Sequence, residues 1–417
     1  MNVTEGNMFW NQELGIIKKY PYLSVDRRCD VLIIGAGIGG ALTAFMQAKQ
    51  GAKVIVVDKN IIGYGATIET SGIIDTRVDF NNKIVKNVGE KNISKCNNLC
   101  SQALKDIIYI IEEIGKDEEC KKYIDKLQFR NLDLICYSER VTNKISMYKI
   151  FEKLGKQNEE VEYLEEDPVI NLKTGIIFPK QAAILNPYVF TQLIYIYLSK
   201  LPNVSIYENT EIKYITPKED IVEAISNNRF KILARNVILT SGIHTLKYLK
   251  DENITLNKTF TLVTEPVQEL DENICNIMAK DTSYPHTVIS FTTDKRIVMC
   301  GEDIKQNERM LEDKYFKHFA NGKYKKMYLN FRRLLNLSDD VKITNCFSGM
   351  YLDTKDSLPI IDELDNMPNV YCNLGIGKNG IIFSMIGARM LKDISKQYHI
   401  KDMYLFRENR QNLRNKQ

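Results

Sequence analysis

The residues whose types and spacing imply chemistry most directly are Gly35, Gly37 and Gly40, a G-x-G-x-x-G run, and the acid Asp58. In such a run the first glycine bends the chain, the second lets the backbone approach a pyrophosphate, and the third lets a helix pack closely on a sheet. A carboxylate at the end of the next strand can then take both hydroxyls of a ribose. The spacing alone is a weak signal; the surrounding pattern strengthens it. Val31 to Ile34 is an unbroken apolar run, as in a parallel strand covered on both faces. Ala41, Leu42, Phe45 and Ala48 recur at helical spacing, Gly51 ends that helix, and Lys53 to Val57 returns as a second strand stopping at Asp58. The stretch from Asp30 to Asp58 therefore predicts strand, turn, helix and strand arranged around a dinucleotide.

Two further stretches belong with it. IIGYGATIETSGII, just after Asp58, is rich in Gly and Thr and short of helix formers. It predicts a loop beside the cofactor, in which Thr67, Thr70 and Ser71 offer hydroxyls while Gly63, Gly65 and Gly72 allow close backbone approach. Near the other end, Gly375, Gly377 and Gly380 repeat the glycine spacing between a strand and a helix, but no later strand with a terminal acid follows. That helix is expected to aim its positive N-terminus at the far end of the same cofactor.

The chain of 417 residues can form two domains or one elaborate one, with ample core. A net charge of +4, with lysines spread among acids, gives no electrostatic footprint for nucleic acid. The polar segment before Asp30 has no apolar core of signal-peptide type, and no uncharged run reaches membrane-spanning length, so a cytoplasmic protein is expected. The 9 cysteines, without C-x-x-C pairs, fit reduced thiols. Cys96 and Cys100 have no second pair near them, and His244, His286, His318 and His399 are isolated in sequence, so no metal site is expected.

Between the two glycine turns the expected elements are a helix from Asn92 to about Gly115, short strands in LDLICY and GIIFP, and a charged helix around Glu159 and Glu165 with a solvated face. A helix from Asn186-Pro187 through Leu193 and Tyr197 leads to a strand entering near Val204. KILARNVILTSG then supplies another buried strand, stopped by the small-residue turn Thr240, Ser241 and Gly242. Residues 259–303 alternate as in an antiparallel sheet exposed on one side, and a charged helix is expected from Lys305 to about Asn336.

These residues resemble the FAD-dependent amine and amino-acid oxidoreductases that include D-amino-acid oxidase, glycine oxidase and sarcosine oxidase. The resemblance covers nearly the whole chain and rests on the Gly35, Gly37, Gly40 and Asp58 fingerprint, the GATIETSG loop, the ARNVILTSG strand, and SGMYLDTKDSLPIID followed by NVYCNLGIGKNG. Trp10 with YPYL, and TVISFTTDKRIVMCGED, look most like the bacterial γ-glutamylputrescine oxidoreductase branch. The resemblance implies an α/β fold: a Rossmann-type, glutathione-reductase-like FAD domain with an interleaved α+β substrate domain built on an antiparallel sheet. The implied segments are 27–80, 182–247 and 345–398 for FAD, 81–181 and 248–344 for substrate, with 1–26 as lead-in and 399–417 as tail.

Carried over by position, Gly35, Gly37 and Gly40 would face the pyrophosphate, with Ile38 and Gly39 beside them, and Asp58 and Lys59 would stand at the adenosine ribose. Thr67 and Thr70 would meet phosphates and ribityl chain, with Gly65, Ala66, Ser71 and Gly72 around them. Val204 would pair its backbone with the adenine edge, and Thr240, Ser241 and Gly242 would close over the cofactor. Gly377, Lys378, Asn379, Gly380 and Ile381 would present backbone N–H groups to the flavin pyrimidine ring.

Two departures bear on substrate. Amino-acid-oxidising members usually carry an arginine two residues after the glycine matching Gly349; here that position is Tyr351, which cannot fork a carboxylate. The sarcosine oxidase branch attaches FAD through a cysteine at the position of Gly349, so the resemblance implies non-covalent FAD. Tyr351 is either a pocket residue or a packed strand residue, and Lys378 either meets a substrate anion or is a solvated turn lysine. The expected reaction is oxidation of a C–N bond of an amine or amino acid by hydride transfer to flavin N5, with oxygen or an electron carrier as acceptor. The alternatives are oxidation of a hydroxy acid or polyol phosphate, and a flavin-binding electron-transfer subunit without small-molecule turnover.

Overall fold

The computed structural model describes residues 5–6, 8–12, 14–167, 170–250, 254–283, 286–306, 313–337, 341–375, 377–394 and 402–410. The strand Arg27–Ile34 lies at the centre of the first sheet, parallel to Val54–Val57 on one side and Lys231–Leu239 on the other. Val204–Tyr207 and Val370–Leu374 extend it in parallel, and Ile360–Glu363 closes one edge antiparallel. Val31, Leu32, Ile33, Val54 and Val56 are wholly buried, as their unbroken apolar run requires. Val31, Ile33, Val54 and Val56 share a core with the helices Ile38–Lys49, Pro187–Leu198 and Gly380–Met390. Leu32, Ile55 and Val57 instead pack with Ile212, Val222 and Ala224 of a three-stranded meander. The middle helix starts where Asn186 accepts from the Val189 N–H at 3.0 Å and Pro187 occupies the first turn.

The second sheet is ten-stranded and mostly antiparallel. In order it runs Glu5–Gly6, Ile343–Asp353, Thr255–Pro266, Arg296–Lys305, Thr287–Phe291, Ile277–Asp281, Arg130–Ser138, Thr174–Ile184 and Ile73–Asp75, with Glu162–Leu164 also on Thr174–Ile184. Ile277–Asp281 and Arg130–Ser138 pair in parallel, a departure from the uniformly antiparallel expectation. The helix Asp313–Leu335 shares its core with one face. Ile343–Asp353 and Ile73–Asp75, although they adjoin nucleotide-sheet segments in sequence, belong to this sheet.

Local differences have local causes. The charged helix is Lys144–Lys156, ending before Glu159 and Glu165, and it buries Met147 and Leu154. Lys305 ends a strand, and residues 307–312 of the expected helix lie outside the described residues. The loop after Asp58 contains a short helix, Ala66–Glu69, before Ile73–Asp75. Among the described residues no group of three or more His, Cys, Asp or Glu could hold a metal ion, and no helix is long and apolar enough to cross a membrane. Cys96 and Cys100 are buried helix residues whose thiols burial pushes up in pKa, Cys96 to about 12.

Candidate active site

At the carboxyl end of Arg27–Ile34 the chain turns at Gly35, whose φ of +109° is a left-handed conformation, and the helix begins after Gly37. The N-cap residue Gly37 supplies no capping side chain and the first turn carries no acid, so apart from the Ile38 N–H, which Thr67 takes, the N–H groups of that turn and its partial positive charge face outward. A Cβ on Gly40 would lie 2.0 Å from the Gly35 carbonyl oxygen, which leaves glycine as the residue that fits. Gly40 thus acts by packing and does not line the cavity described below. Gly72 is likewise held by close backbone approach: a Cβ there would meet the Leu185 carbonyl oxygen at 2.2 Å and the Trp10 ring at 2.8 Å, and it too lies off the cavity. Thr67 accepts from the Ile38 N–H at 3.0 Å and holds the following loop against the helix start.

Asp58 stands where its strand ends. One carboxylate oxygen accepts from the Ala36 N–H at 2.6 Å, the other from the Asn60 N–H at 2.8 Å, which fixes the side chain beside the turn. Burial pushes its carboxyl above the ordinary carboxylate range, against the pull of these two N–H groups. Lys59 meets the His244 ring at 2.9 Å, and burial together with Lys59 lowers the histidine pKa below 6.5. Val204 does not belong here. It pairs with Val54 at the start of its strand, whereas the cavity lies at the other end and is lined by Thr210, Glu211 and Ile212. Nucleotides bind outside the carboxyl ends of parallel strands, and that rule points past Tyr207 to these residues.

A single cavity of about 930 Å³ runs from this end to the second sheet. Gly35, Gly37, Ile38, Gly39, Asp58, Lys59, Gly65, Ala66, Thr67, Thr70, Ser71, Thr240, Ser241 and Gly242 line it. So do Gly349, Tyr351, Gly377, Lys378, Asn379, Gly380 and Ile381, from the far end of the chain; Ile376 between them lies outside the described residues. The helix Gly380–Met390 also starts without a side-chain cap or a first-turn acid. The Gly377 N–H donates to the Leu352 carbonyl at 2.8 Å, which fastens this turn to a strand of the second sheet. A Cβ on Gly349 would lie 2.8 Å from the Glu69 carbonyl oxygen, so strand and loop are in close contact there.

The second-sheet wall holds groups that sequence patterns did not single out. Asp303 Oδ2 accepts from Lys378 Nζ at 2.8 Å and from the Tyr351 hydroxyl at 3.1 Å, and Lys378 also donates to the His286 carbonyl at 3.1 Å. Tyr351 and Lys378 both line the cavity. Burial lowers the His286 pKa below 6.5, with the Lys378 charge acting the same way. Lys280 and Asp75 form an ion pair in the same wall, with side-chain exposures of 13% and 8%. Burial alone would pull the Lys280 ammonium down, but Asp75 holds it above its ordinary value. Arg77, paired with Asp79 and Glu159, continues the wall. Such residues are scattered through the sequence, and only strand pairing brings them together.

The residues fit FAD. An uncapped helix start suits the pyrophosphate, a fixed carboxylate suits the ribose, and a second uncapped helix start lies at the opposite end of one cavity. The sequence profile of the DAO family, described as FAD dependent oxidoreductase, matches residues 30–394. The putative Rieske 2Fe-2S iron-sulfur protein YhfW of Bacillus subtilis (strain 168) is 22% identical over 397 residues, 91% of this chain and 70% of that protein. The probable oxidoreductase OrdL of Haemophilus influenzae is 23% identical over 394 residues, 90% of this chain and 84% of that one. The crystal structure of glycine oxidase from Geobacillus kaustophilus superposes with a TM-score of 0.74 at 16% identity, over 92% of this chain and 99% of its own. The profile runs from the opening strand of the nucleotide sheet through its closing helix, and the chain accordingly belongs to the DAO family of FAD-dependent oxidoreductases, with FAD as its cofactor.

Proposed function

We propose that the chain oxidises the C–N bond of an amine or amino acid. FAD, when bound, accepts a hydride at flavin N5 from the carbon that bears the nitrogen. The amine would react in its neutral form: its C–H bond would break with the electron pair leaving as hydride, the nitrogen lone pair would form C=N, and water would add to the resulting iminium to release carbonyl compound, amine and a proton. The chain's part is positional. The Asp58 end would anchor the nucleotide, and the N–H groups at Lys378–Gly380 with the helix behind them would stabilise negative charge where the flavin pyrimidine ring would rest, the Gly377 N–H being taken by Leu352. The second-sheet wall holds the substrate against that ring in a near-attack arrangement. The observation that carries this reading is the single cavity bounded at one end by the Gly37 helix start and Asp58, and at the other by Lys378, Tyr351 and Asp303. Non-covalent FAD follows from glycine at position 349. Cys346 lies off the cavity, and Cys300, which lines it, is a buried thiol whose pKa burial raises.

The test is an anaerobic screen of the FAD-loaded protein over amines, amino acids and hydroxy acids. Bleaching of the flavin by an amine or amino acid, with release of a carbonyl compound, supports the reading. Bleaching by hydroxy acids alone moves the chemistry to a C–O bond, and a protein that takes up no FAD overturns it. The name of the Bacillus relative favours a second reading of the acceptor: an iron–sulfur carrier in place of oxygen. A reduced flavin reoxidised faster by such a carrier than by air supports that reading.

A further inference from the structure

We propose that Asp303 is the residue that selects substrate, and that it selects an ammonium group over a carboxylate. The inference rests on the reading of this cavity as an amine-oxidising site and specifies its substrate class. Its basis is how the strand Arg296–Lys305 is built. Lys258 pairs with Ile304 and Phe260 with Gly301, so Thr259 alone opposes both Glu302 and Asp303. Two residues against one is a β-bulge, a device that re-aims a side chain out of strict alternation. The bulge is paid for locally, since Glu302 adopts φ +54°, a conformation non-glycine residues seldom take. The Glu302 carboxylate is buried and held by Lys323 at 3.0 Å and Lys326 at 2.6 Å, both from the helix Asp313–Leu335. With Glu302 committed to that helix, Asp303 falls on the cavity side.

The state of Asp303 there is asymmetric. Oδ2 takes both available donors, Lys378 Nζ and the Tyr351 hydroxyl. Oδ1 is buried and accepts no hydrogen bond among the described residues. Across the bulge, Thr259 also lines the cavity, and its buried hydroxyl has no partner among the described residues. A carboxylate oxygen removed from water without a donor is costly, and an ammonium N–H supplies both the donor and the charge. A substrate carboxylate brought to the same place would meet Asp303 as a like charge. Lys378 offers such an anion little, because its ammonium is already shared between Asp303 and the His286 carbonyl. The wall therefore recognises a cationic amino group at the Asp303 carboxylate, which lines the cavity, and the ammonium gives a proton to that carboxylate or to water before the neutral amine is oxidised; Tyr351 and Lys378 hold Asp303 in position.

The test uses two molecules of the same shape and opposite charge, tert-butylamine and pivalate. Neither has a hydrogen on the carbon next to the charged group, so neither can be oxidised and both report binding alone. The FAD-loaded protein is titrated with each, following the flavin visible spectrum and inhibition of turnover with any active amine. The expected result is saturable binding of tert-butylamine at least about tenfold tighter than pivalate, and a loss of about tenfold in Asp303→Asn at unchanged FAD content. Pivalate binding as well as or better than the amine, no binding of either, or unchanged amine affinity in Asp303→Asn overturns the proposal. Should Asp303→Asn fail to fold, the comparison of the two molecules on the unaltered protein still decides. A protein that loads no FAD refutes the underlying reading instead, so the two failures are distinguishable.

Discussion

At the scale of single residues, the glycines and the acid of the first turn were legible because each is constrained within a few positions of sequence. Gly40 gives the sharpest stability prediction. In Gly40→Ala the new methyl would sit 2.0 Å from the Gly35 oxygen, between two backbone segments that cannot both move away. Loss of about 3 kcal/mol is expected, read as a lowered Tm together with lost FAD. Asp58→Ala removes the acceptor for the Ala36 and Asn60 N–H groups and, on the proposed reading, the carboxylate that would meet the ribose. The FAD Kd should rise tenfold to a hundredfold, about 1.4 kcal/mol per decade, in a fluorescence titration. His244 and His286 set a pH dependence. Both have folded pKa values below 6.5, so the unfolded chain binds more protons in the window just under that value. Their contribution to stability is present above about pH 6.5 and is lost as pH falls through the folded values. Melting curves of the double variant His244→Gln, His286→Gln should show a flatter acid limb than those of the parent. Val204 and Asp303 mark the limit of residue-level reading: one starts its strand as expected but lies off the cavity, and the other depends on a bulge that no local pattern announces.

At the scale of elements, the parallel strands and the three helices packed on them were readable from period and composition, since each is buried along its length. Sheet membership was less so. Ile73–Asp75 and Ile343–Asp353 follow or precede nucleotide-sheet segments in sequence, and only pairing with Thr174–Ile184 and Thr255–Pro266 assigns them. The Lys280–Asp75 ion pair joins Ile73–Asp75 to Ile277–Asp281, across the two strands that lie between them in that sheet. Removing one partner leaves a buried charge uncompensated, so Lys280→Met should cost about 3–5 kcal/mol. Lys280→Met combined with Asp75→Leu should recover much of that loss, because the pair is then replaced by apolar packing. Denaturant titration of the two variants checks this; equal destabilisation by the single and double changes would remove the pair from the account.

At the scale of the whole molecule, the opening glycine turn and the closing one are separated by most of the chain, yet they bound one cavity. On the proposed function this geometry divides the labour: one end would grip the nucleotide, and the other would set the chemistry against a wall supplied by the second sheet. That the two turns cooperate was expected from their repeated spacing and the missing second acid. The content of the wall was not, because it is assembled from strands paired across long sequence separations. The central claim is that an amine is oxidised at this wall. Its most direct test is anaerobic mixing of the FAD-loaded protein with the amine or amino acid that bleaches it, counting products against flavin. The account predicts one carbonyl compound and one released amine for each flavin reduced. Bleaching by hydroxy acids alone, with no nitrogen released, would contradict it.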